Sequence, residues 1–147
     1  MNRQKDRGTK YETSVVRYLR AELGDDRPER MALHGGGDVG DIGHIYCHGF
    51  RGIAECKAHK EVTPRRVEDW KRQTIDERDN ADADFALLVV NQYNKGISQS
   101  LVYVTLRDLA KIALPMRLNE GWEDMADDHW VCMTLAECCS LMRGFVE

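Results

Sequence analysis

The chain has 147 residues, of which 42% are hydrophobic and 31% charged, and its formal net charge at pH 7 is -4. These values are typical of one globular domain spanning residues 1–147, and they exclude a repeat array, a collagen-like chain and a disordered chain. The longest unbroken apolar run, residues 85–90, is far shorter than the roughly 20 residues of a membrane helix. We therefore expect no membrane-spanning segment and no membrane partner.

The N-terminal residues and the cysteines indicate a cellular compartment. Residues 1–10 are polar and cationic with no apolar stretch behind them, so they do not resemble a secretory signal. The five cysteines are odd in number and irregularly spaced, which favours reduced thiols over a disulfide framework. We expect a cytoplasmic protein, in the host cytoplasm if a phage encodes it.

The charge is unevenly distributed along the chain. Residues 1–72 carry 15 Lys and Arg against 12 Asp and Glu, whereas residues 73–147 carry 6 against 13. The first half is therefore basic although the whole chain is acidic. Because the phosphates of a nucleic acid bind basic groups, the net charge does not exclude such a partner.

The predicted elements begin with one helix and three strands. The helix covers residues 9–23, where apolar residues recur at helical spacing and Gly24 marks the end. Glu12 lies on a flank of this apolar stripe, where a carboxylate needs a partner or a function. Strands separated by glycine turns follow over residues 30–34, 41–47 and 52–57.

The remaining predicted elements alternate between helix and strand. Thr63 is a suitable N-cap for a second helix, and Thr134 with Glu137 forms a capping box before the last one. The elements are a helix over residues 64–78, a buried strand over 85–90, a strand over 101–104, a helix over 105–114, a short strand near 131 and a helix reaching about 143.

The densest chemical signal lies in the segments 40–42 (GDI) and 53–57 (IAECK). Glu55 and Lys57 project from the same face of a strand because alternate side chains do so. If the two strands pair as a hairpin, Asp41 and Glu55 converge near one strand end, and the backbone carbonyl of Cys56 points into the same space. Two carboxylates and a carbonyl are hard oxygen ligands that suit Mg²⁺, with Mn²⁺ expected to substitute. Lys57 would orient or help to deprotonate an attacking water, which predicts phosphodiester hydrolysis.

These residues resemble a known family. Asp41 followed by Glu55-Cys56-Lys57 is similar to the signature of the PD-(D/E)xK nuclease superfamily, and the flanks look like its archaeal-type Holliday junction resolvases. The flanking likeness consists of residues 7–9 (RGT) opening a helix with Glu12 early in it, then Arg30, then a glycine-rich turn. It covers residues 7–92 and leaves about 101–147 as a C-terminal elaboration.

The resemblance implies a fold and an activity. The fold is α/β and restriction-endonuclease-like, a mixed β-sheet flanked by α-helices in a single domain. The activity is that of a Mg²⁺-dependent endonuclease in which Glu12 joins Asp41 and Glu55 at the metal. Its DNA would be a branched substrate such as a four-way junction, met in DNA recombination and repair. Because such a junction carries two scissile phosphates related by two-fold symmetry, a homodimer is expected.

The sequence departs from the family signature at one position. Gly40 stands where the signature has proline, and Asp38 is a competing carboxylate three residues before Asp41. Asp38 is the second choice for the metal-binding aspartate. Gln73, on the second predicted helix, is a candidate for supporting the site from nearby.

Basic residues on both sides of the proposed metal site are the predicted DNA contacts, and the alternative is an ordinary solvated surface. Residues 3–10 are predicted to be a basic arm before the first helix. His34 lies beside the glycine turn, in a loop expected to touch the DNA backbone. The predicted DNA contacts are Arg7, Lys10, Arg30, His34, Lys60, Arg65 and Arg66.

Other interpretations stay open at this level. Three histidines and two cysteines between residues 44 and 59 invite a zinc site, but their spacing matches no standard finger or ribbon. Glu55 and Lys57 would otherwise be a solvated strand face. The functional alternatives are a restriction-like, repair or DNA-end-processing nuclease of the same fold, and a non-catalytic nucleic-acid-binding or protein-binding module.

Overall fold

The fold is described by a computed structural model that covers residues 3–32, 37–115, 118, 121 and 127–144. Its helices are α1 (Arg3–Leu23), α2 (Pro64–Asn80), α3 (Leu106–Ala113) and α4 (Leu135–Arg143), with a short 3-10 turn at Ile97–Gln99. Its strands are β1 (Glu29–Arg30), β2 (Ile42–Cys47), β3 (Phe50–Lys57), β4 (Phe85–Val90), β5 (Leu101–Thr105) and β6 (Trp130–Thr134).

One mixed sheet organises the domain. The six strands lie in the order β1-β2-β3-β4-β5-β6. All neighbours pair antiparallel except β3 and β4, which are parallel and joined by the crossover helix α2. The expected single-domain α/β architecture with a mixed sheet and flanking helices is confirmed.

Helices cover both faces of this sheet. On one face Val15 and Leu19 of α1 pack with Leu87 of β4 and Leu135 of α4 in the main core. On the other face α2 packs against Leu88 and Val90 of β4 in a smaller cluster. Because alternate residues of a strand point to opposite faces, a strand between two helical layers is apolar throughout. This explains why all six residues of β4 are buried.

The first two elements differ from the sequence prediction. α1 begins at Arg3 rather than at residue 9, so the basic residues 3–10 form its first two turns instead of an arm before it. Asp6 lies in the first turn, where a carboxylate stabilises the positive end of the helix dipole. β1 contains only Glu29–Arg30, and part of the predicted strand 30–34 falls outside the described residues.

The capping predictions agree with the structure. The Thr63 side chain accepts a hydrogen bond from the Arg66 amide at the start of α2. Thr134 and Glu137 form the complete reciprocal capping box of α4.

The described residues between 101 and 144 belong to the same core as the rest of the domain. β5 and β6 extend the sheet, and buried residues of α3 and α4 pack with those of α1. This segment is therefore an integral part of the domain. Among the described residues, no helix is long and apolar enough to cross a membrane.

Candidate metal centre

The β2–β3 hairpin places Asp41 beside β3. Asp41 precedes the first residue of β2, and Ile42 pairs with Ala54. The Asp41 amide donates a hydrogen bond to the Ala54 carbonyl at 3.0 Å. Its carboxylate Oδ2 accepts one from the Cys56 amide at 2.8 Å. Asp41 and Glu55 therefore lie at the same level of the hairpin, and Cys56 holds Asp41 through its backbone N–H. The carbonyl role of Cys56 stays a prediction.

Glu55 and Lys57 lie on the face of β3 that α2 covers. The Lys57 ammonium is 3.5 Å from Glu55 Oε1. It also donates a hydrogen bond to Gln73 Oε1 on α2 at 3.0 Å. Glu55 is only 4% exposed, so the alternative of a solvated strand face does not describe it.

Glu77 is a member of this cluster that the sequence interpretation missed. It is 1% exposed on α2, and its Oε1 accepts a hydrogen bond from Gln73 Nε2 at 2.9 Å. Gln73 therefore links Glu77 to Lys57. The signal was present in the sequence, because Glu77 lies three and seven residues after Thr74 and Trp70 on the buried stripe of α2. A carboxylate on such a stripe needs a partner or a function, the argument that singled out Glu12.

The loop before β2 brings Asp38 to the same place. One carboxylate oxygen each of Asp38, Glu55 and Glu77 lies within 4.8 Å of the others. Asp38 Oδ1 accepts a hydrogen bond from the Gly40 amide at 3.0 Å. The Asn80 side chain at the end of α2 donates to the Asp38 carbonyl.

Gly40 makes this loop path possible. Its φ is +93°, and a Cβ there would lie 3.1 Å from Ile53 Cδ1 and 3.3 Å from the Ala54 carbonyl oxygen. Proline fixes φ near -65°, so it cannot occupy this position in this conformation. Glycine in place of the proline of the resembled signature therefore allows the turn that carries Asp38 toward Glu77.

Glu12, on α1, lies next to Asp41. It accepts a hydrogen bond from Arg30 Nε at 2.9 Å. Burial and the neighbouring Asp41 carboxylate raise the pKa of Glu12. Arg30 is therefore a partner of a site carboxylate rather than an unengaged cation on the surface.

Burial and crowding raise the pKa of three carboxyl groups. For Asp41 the pKa rises to about 7, mainly through burial and then through Glu55. The pKa of Glu55 rises to about 8, through burial and then through Glu77. The pKa of Glu77 rises to about 7, mainly through burial, with the Asp38 charge adding to the rise. These groups together disfavour the fully ionised state unless a cation neutralises them.

The ligand atoms of the cluster suit a hard divalent cation. Glu55 Oε2 and Glu77 Oε2 are buried and have no hydrogen-bond donor within the described part of the chain. An unpaired buried carboxylate oxygen is costly, and metal coordination is one of the few ways to satisfy it. Carboxylate oxygens are the ligands that Mg²⁺ and Mn²⁺ prefer. Asp38, Glu55 and Glu77 therefore fit a divalent metal ion, whereas the predicted ligands Glu12 and Asp41 are not part of this three-carboxylate group.

Two clefts meet at this cluster. One of about 450 Å³ is lined by Glu12, Asp41 and Glu55 together with basic side chains. The cationic groups that line it are Lys5, Arg7 and Lys57, and the His59 imidazole also lines it. The other, of about 400 Å³, is lined by Glu12, Arg30, Asp38 and Asp41. Glu12 and Asp41 thus line both clefts, and Lys5, Arg7 and Lys57 form a cationic wall of the first one.

The predicted DNA contacts occupy different positions. Arg7 lines the cationic cleft, and Lys10 is exposed farther along α1. Lys60 and Arg65 are exposed near the start of α2, where Arg66 donates a hydrogen bond to the Glu61 carbonyl. Burial lowers the pKa of His59, and the positive charges of Arg66, Lys57 and Arg7 lower it further, which places these cations near it. His34 lies outside the described residues.

The zinc alternative finds no support in the described ranges. In these ranges, the side chains that lie close enough together to share a metal ion are the carboxylates of Asp38, Glu55 and Glu77. This set includes no histidine or cysteine. Cys47 and Cys56 are buried. The metal interpretation therefore rests on oxygen ligands.

Comparisons with known proteins identify no family for this chain. No protein-family model, no curated protein and no solved structure matched the chain.

Proposed function

We propose that the protein is a divalent-metal-dependent endonuclease that hydrolyses phosphodiester bonds in DNA. The observation that carries the proposal is the convergence of Asp41, Glu55 and Lys57 beside the cationic cleft. Buried carboxylates with unpaired oxygens suit a metal, and a lysine among them suits an anionic substrate. The restriction-endonuclease-like assignment of the fold is part of this proposal.

The metal would be held by Glu12, Asp41 and Glu55. Bound Mg²⁺ supplies positive charge that polarises the scissile phosphate and lowers the pKa of a coordinated water. Asp41 is oriented for this by the Cys56 amide, and Glu12 is fixed by Arg30. Holding the ligands in place before substrate arrives avoids part of the ordering cost of binding.

Lys57 would act on the reacting phosphate or on the attacking water. Its ammonium is positioned from two sides, by Glu55 on its own strand and by Gln73 on α2. A cation held there stabilises negative charge that develops on the phosphate oxygens in the transition state. Gln73 is a positioning residue in this proposal, because it contacts Lys57 and Glu77 and not the substrate.

The cationic wall would guide the DNA backbone to these groups. Lys5 and Arg7 line the cleft that contains Glu55 and Lys57, and Arg66 lies close to His59 of the same cleft. Such contacts neutralise phosphates and position the duplex without reading its sequence. We propose a four-way junction as the substrate and a two-fold homodimer as the active form, following the resemblance to junction resolvases.

The test is a cleavage assay on matched DNAs. The purified protein is incubated with a labelled four-way junction, a flap and a linear duplex, each with Mg²⁺, Mn²⁺ or EDTA. The proposal predicts cleavage of the junction that requires the metal and is faster than cleavage of the duplex. Light scattering measures whether the protein is a dimer.

Other outcomes would revise the proposal. Equal cleavage of junction and duplex would favour a restriction-like, repair or DNA-end-processing nuclease. Binding of DNA without cleavage of any substrate would favour a non-catalytic module. Cleavage that persists in EDTA would contradict the metal-dependent mechanism.

A further inference from the structure

The proposed function leaves part of the carboxylate cluster unused. It assigns Glu12, Asp41 and Glu55 to one metal ion and gives no role to Asp38 and Glu77, although both have a carboxylate oxygen close to one of Glu55. Ion pairs join Lys57 to Glu55 and Arg30 to Glu12. The five carboxylates therefore offer more oxygen ligands than the first metal ion alone would use.

Glu77 is the group that most needs a further partner. It is 1% exposed, and the neutral amide of Gln73 donates a hydrogen bond to its Oε1. Its Oε2 is buried and has no donor within the described residues. Glu55 repeats this arrangement, with Oε1 near Lys57 and a buried Oε2 that lacks a donor. Two almost completely buried side chains thus each have one unsatisfied oxygen in the same cluster.

The spacing of these groups matches the ligand shell of one ion. Oxygen ligands 2.0–2.6 Å from an ion lie within roughly 4–5 Å of one another. One oxygen each of Asp38, Glu55 and Glu77 meets this condition, since all three lie within 4.8 Å of one another. Asp38 is exposed while the two glutamates are buried, so an ion here would be reached from solvent and would keep part of its water shell.

We propose that Asp38, Glu55 and Glu77 bind a second divalent cation, Mg²⁺ or Mn²⁺, next to the one at Asp41. Glu55 is shared by the two ions. This inference rests on the proposed function for the first ion but not on any catalytic activity. Since Gln73 joins Glu77 to Lys57, an ion at Glu77 also fixes the Lys57 ammonium relative to the first metal.

The test counts bound Mn²⁺ by electron paramagnetic resonance, in which free hexaaqua Mn²⁺ gives the signal. The metal-free full-length protein is titrated as wild type, Asp38→Asn, Glu77→Gln and Asp41→Asn. Asp76→Asn is the matched control, because Asp76 is an exposed carboxylate next to Glu77 on α2. We expect two Mn²⁺ per chain in wild type and in the control, and one in Asp38→Asn and Glu77→Gln.

A stability measurement distinguishes the loss of a metal site from a folding defect of the variant. Thermal unfolding is followed with and without Mn²⁺, since a ligand that binds only the folded state raises the unfolding temperature. We expect the metal-induced rise to be smaller in Asp38→Asn than in Asp76→Asn. Asp38 is exposed, so its substitution tests the site even if Glu77→Gln fails to fold.

The outcomes separate this inference from the proposed function. One Mn²⁺ in wild type that is lost in Asp41→Asn, or an unchanged count in both Asp38→Asn and Glu77→Gln, would overturn the second site and leave the nuclease proposal standing. Loss of one Mn²⁺ in these variants, in a wild type that cleaves no DNA, would support the second site and contradict the nuclease. Asp41→Asn is expected to keep the ion at Asp38, Glu55 and Glu77.

Discussion

Single residues decide which carboxylates can meet. Gly40 adopts φ +93° where its Cβ position is crowded by Ile53 and Ala54, and this turn carries Asp38 to the cluster of Glu55 and Glu77. Gln73 has a similar local importance, because its two amide atoms bind Lys57 and Glu77. The geometry of the site therefore depends on a backbone conformation and on one neutral side chain as well as on the charged groups.

Replacing Gly40 by alanine is expected to destabilise the fold. A non-glycine residue held in this region costs about 1–3 kcal/mol, and the new Cβ would also press on Ile53 and Ala54. The free energy of unfolding, measured by chemical denaturation, should fall by about that amount. Gly8→Ala is the control, since Gly8 lies within α1 with nothing within 4 Å of its Cβ position, and it should gain about 0.5–1 kcal/mol. Equal effects of the two substitutions would contradict the strain argument.

Lys57→Met should separate chemistry from metal binding. Removing a positioned cation from the reacting phosphate typically slows hydrolysis by about 10²–10⁴-fold. The single-turnover cleavage rate should therefore fall within that range while Mn²⁺ binding persists. Lys95→Met, in the exposed turn between β4 and β5, is the matched control and should cleave at the wild-type rate. A Lys57→Met variant with full activity would remove Lys57 from the mechanism.

Part of this site could be predicted from the local periodicity of the sequence. Strand alternation correctly placed Glu55 and Lys57 on one face, and hairpin pairing correctly placed Asp41 next to them. Glu77 was missed because its contact with Glu55 depends on how α2 packs over β3, which is a long-range relation. The position of Asp38 depends on a positive φ at Gly40, and glycine permits such a value without requiring it.

At the scale of elements, the packing of α2 against the sheet buries the carboxylates of Glu55 and Glu77 and thereby disfavours their ionised forms. Val67 and Trp70 anchor the helix on Leu88 and Val90, and its next turns carry Gln73 and Glu77 over β3. The same packing removes Glu55 and Glu77 from water. α2 is also tied to residues outside the site, because the buried Arg78 pairs with Asp108 of α3 and with Asp127.

This packing predicts that the metal-free protein loses stability as the pH rises. The pKa values of Asp41, Glu55 and Glu77 are raised to between about 7 and about 8 in the fold, whereas unfolded carboxyls titrate near 4. Between these values the folded chain binds more protons than the unfolded chain, so the free energy of unfolding falls with increasing pH.

Calorimetry or circular dichroism in EDTA measures this effect. The unfolding temperature should be lower at pH 8.5 than at pH 5.5 by at least about 3 °C, the shift that ~1 kcal/mol produces in a domain of this size. Mg²⁺ should reduce the difference, because it neutralises the ionised carboxylates. Glu77→Gln should also reduce it, whereas Asp76→Asn should not. An unfolding temperature that rises with pH in EDTA would contradict the proposed electrostatics.

At the scale of the molecule, the C-terminal third completes the core under the site. Leu135 and Ile112 belong to the same cluster as Val15 and Leu19 of α1, and the Leu135 amide donates to the Ser100 carbonyl. The element order was largely predictable from periodicity and capping residues. The integration of β5, β6 and their helices was not, because it depends on non-local strand pairing and on a segment beyond the family resemblance.

Deleting residues 101–147 should therefore prevent folding. The truncation removes two strands and two helices, exposes one edge of the apolar strand β4 and uncovers the core face of α1. We expect the loss of a cooperative thermal transition and increased binding of a hydrophobic dye. A truncated chain with a cooperative transition near that of the full chain would identify the C-terminal third as a separable addition.

The most direct test of the central claim compares Asp41→Asn and Asp76→Asn in metal-dependent DNA cleavage. Asp41 is held by the Cys56 amide between Glu12 and Glu55, whereas Asp76 is an exposed carboxylate on α2. Single-turnover rates on a labelled four-way junction are measured with Mg²⁺, after circular dichroism has shown that both variants are folded. We predict near-total loss of cleavage in Asp41→Asn and a wild-type rate in Asp76→Asn. Wild-type cleavage by folded Asp41→Asn would contradict the proposed site.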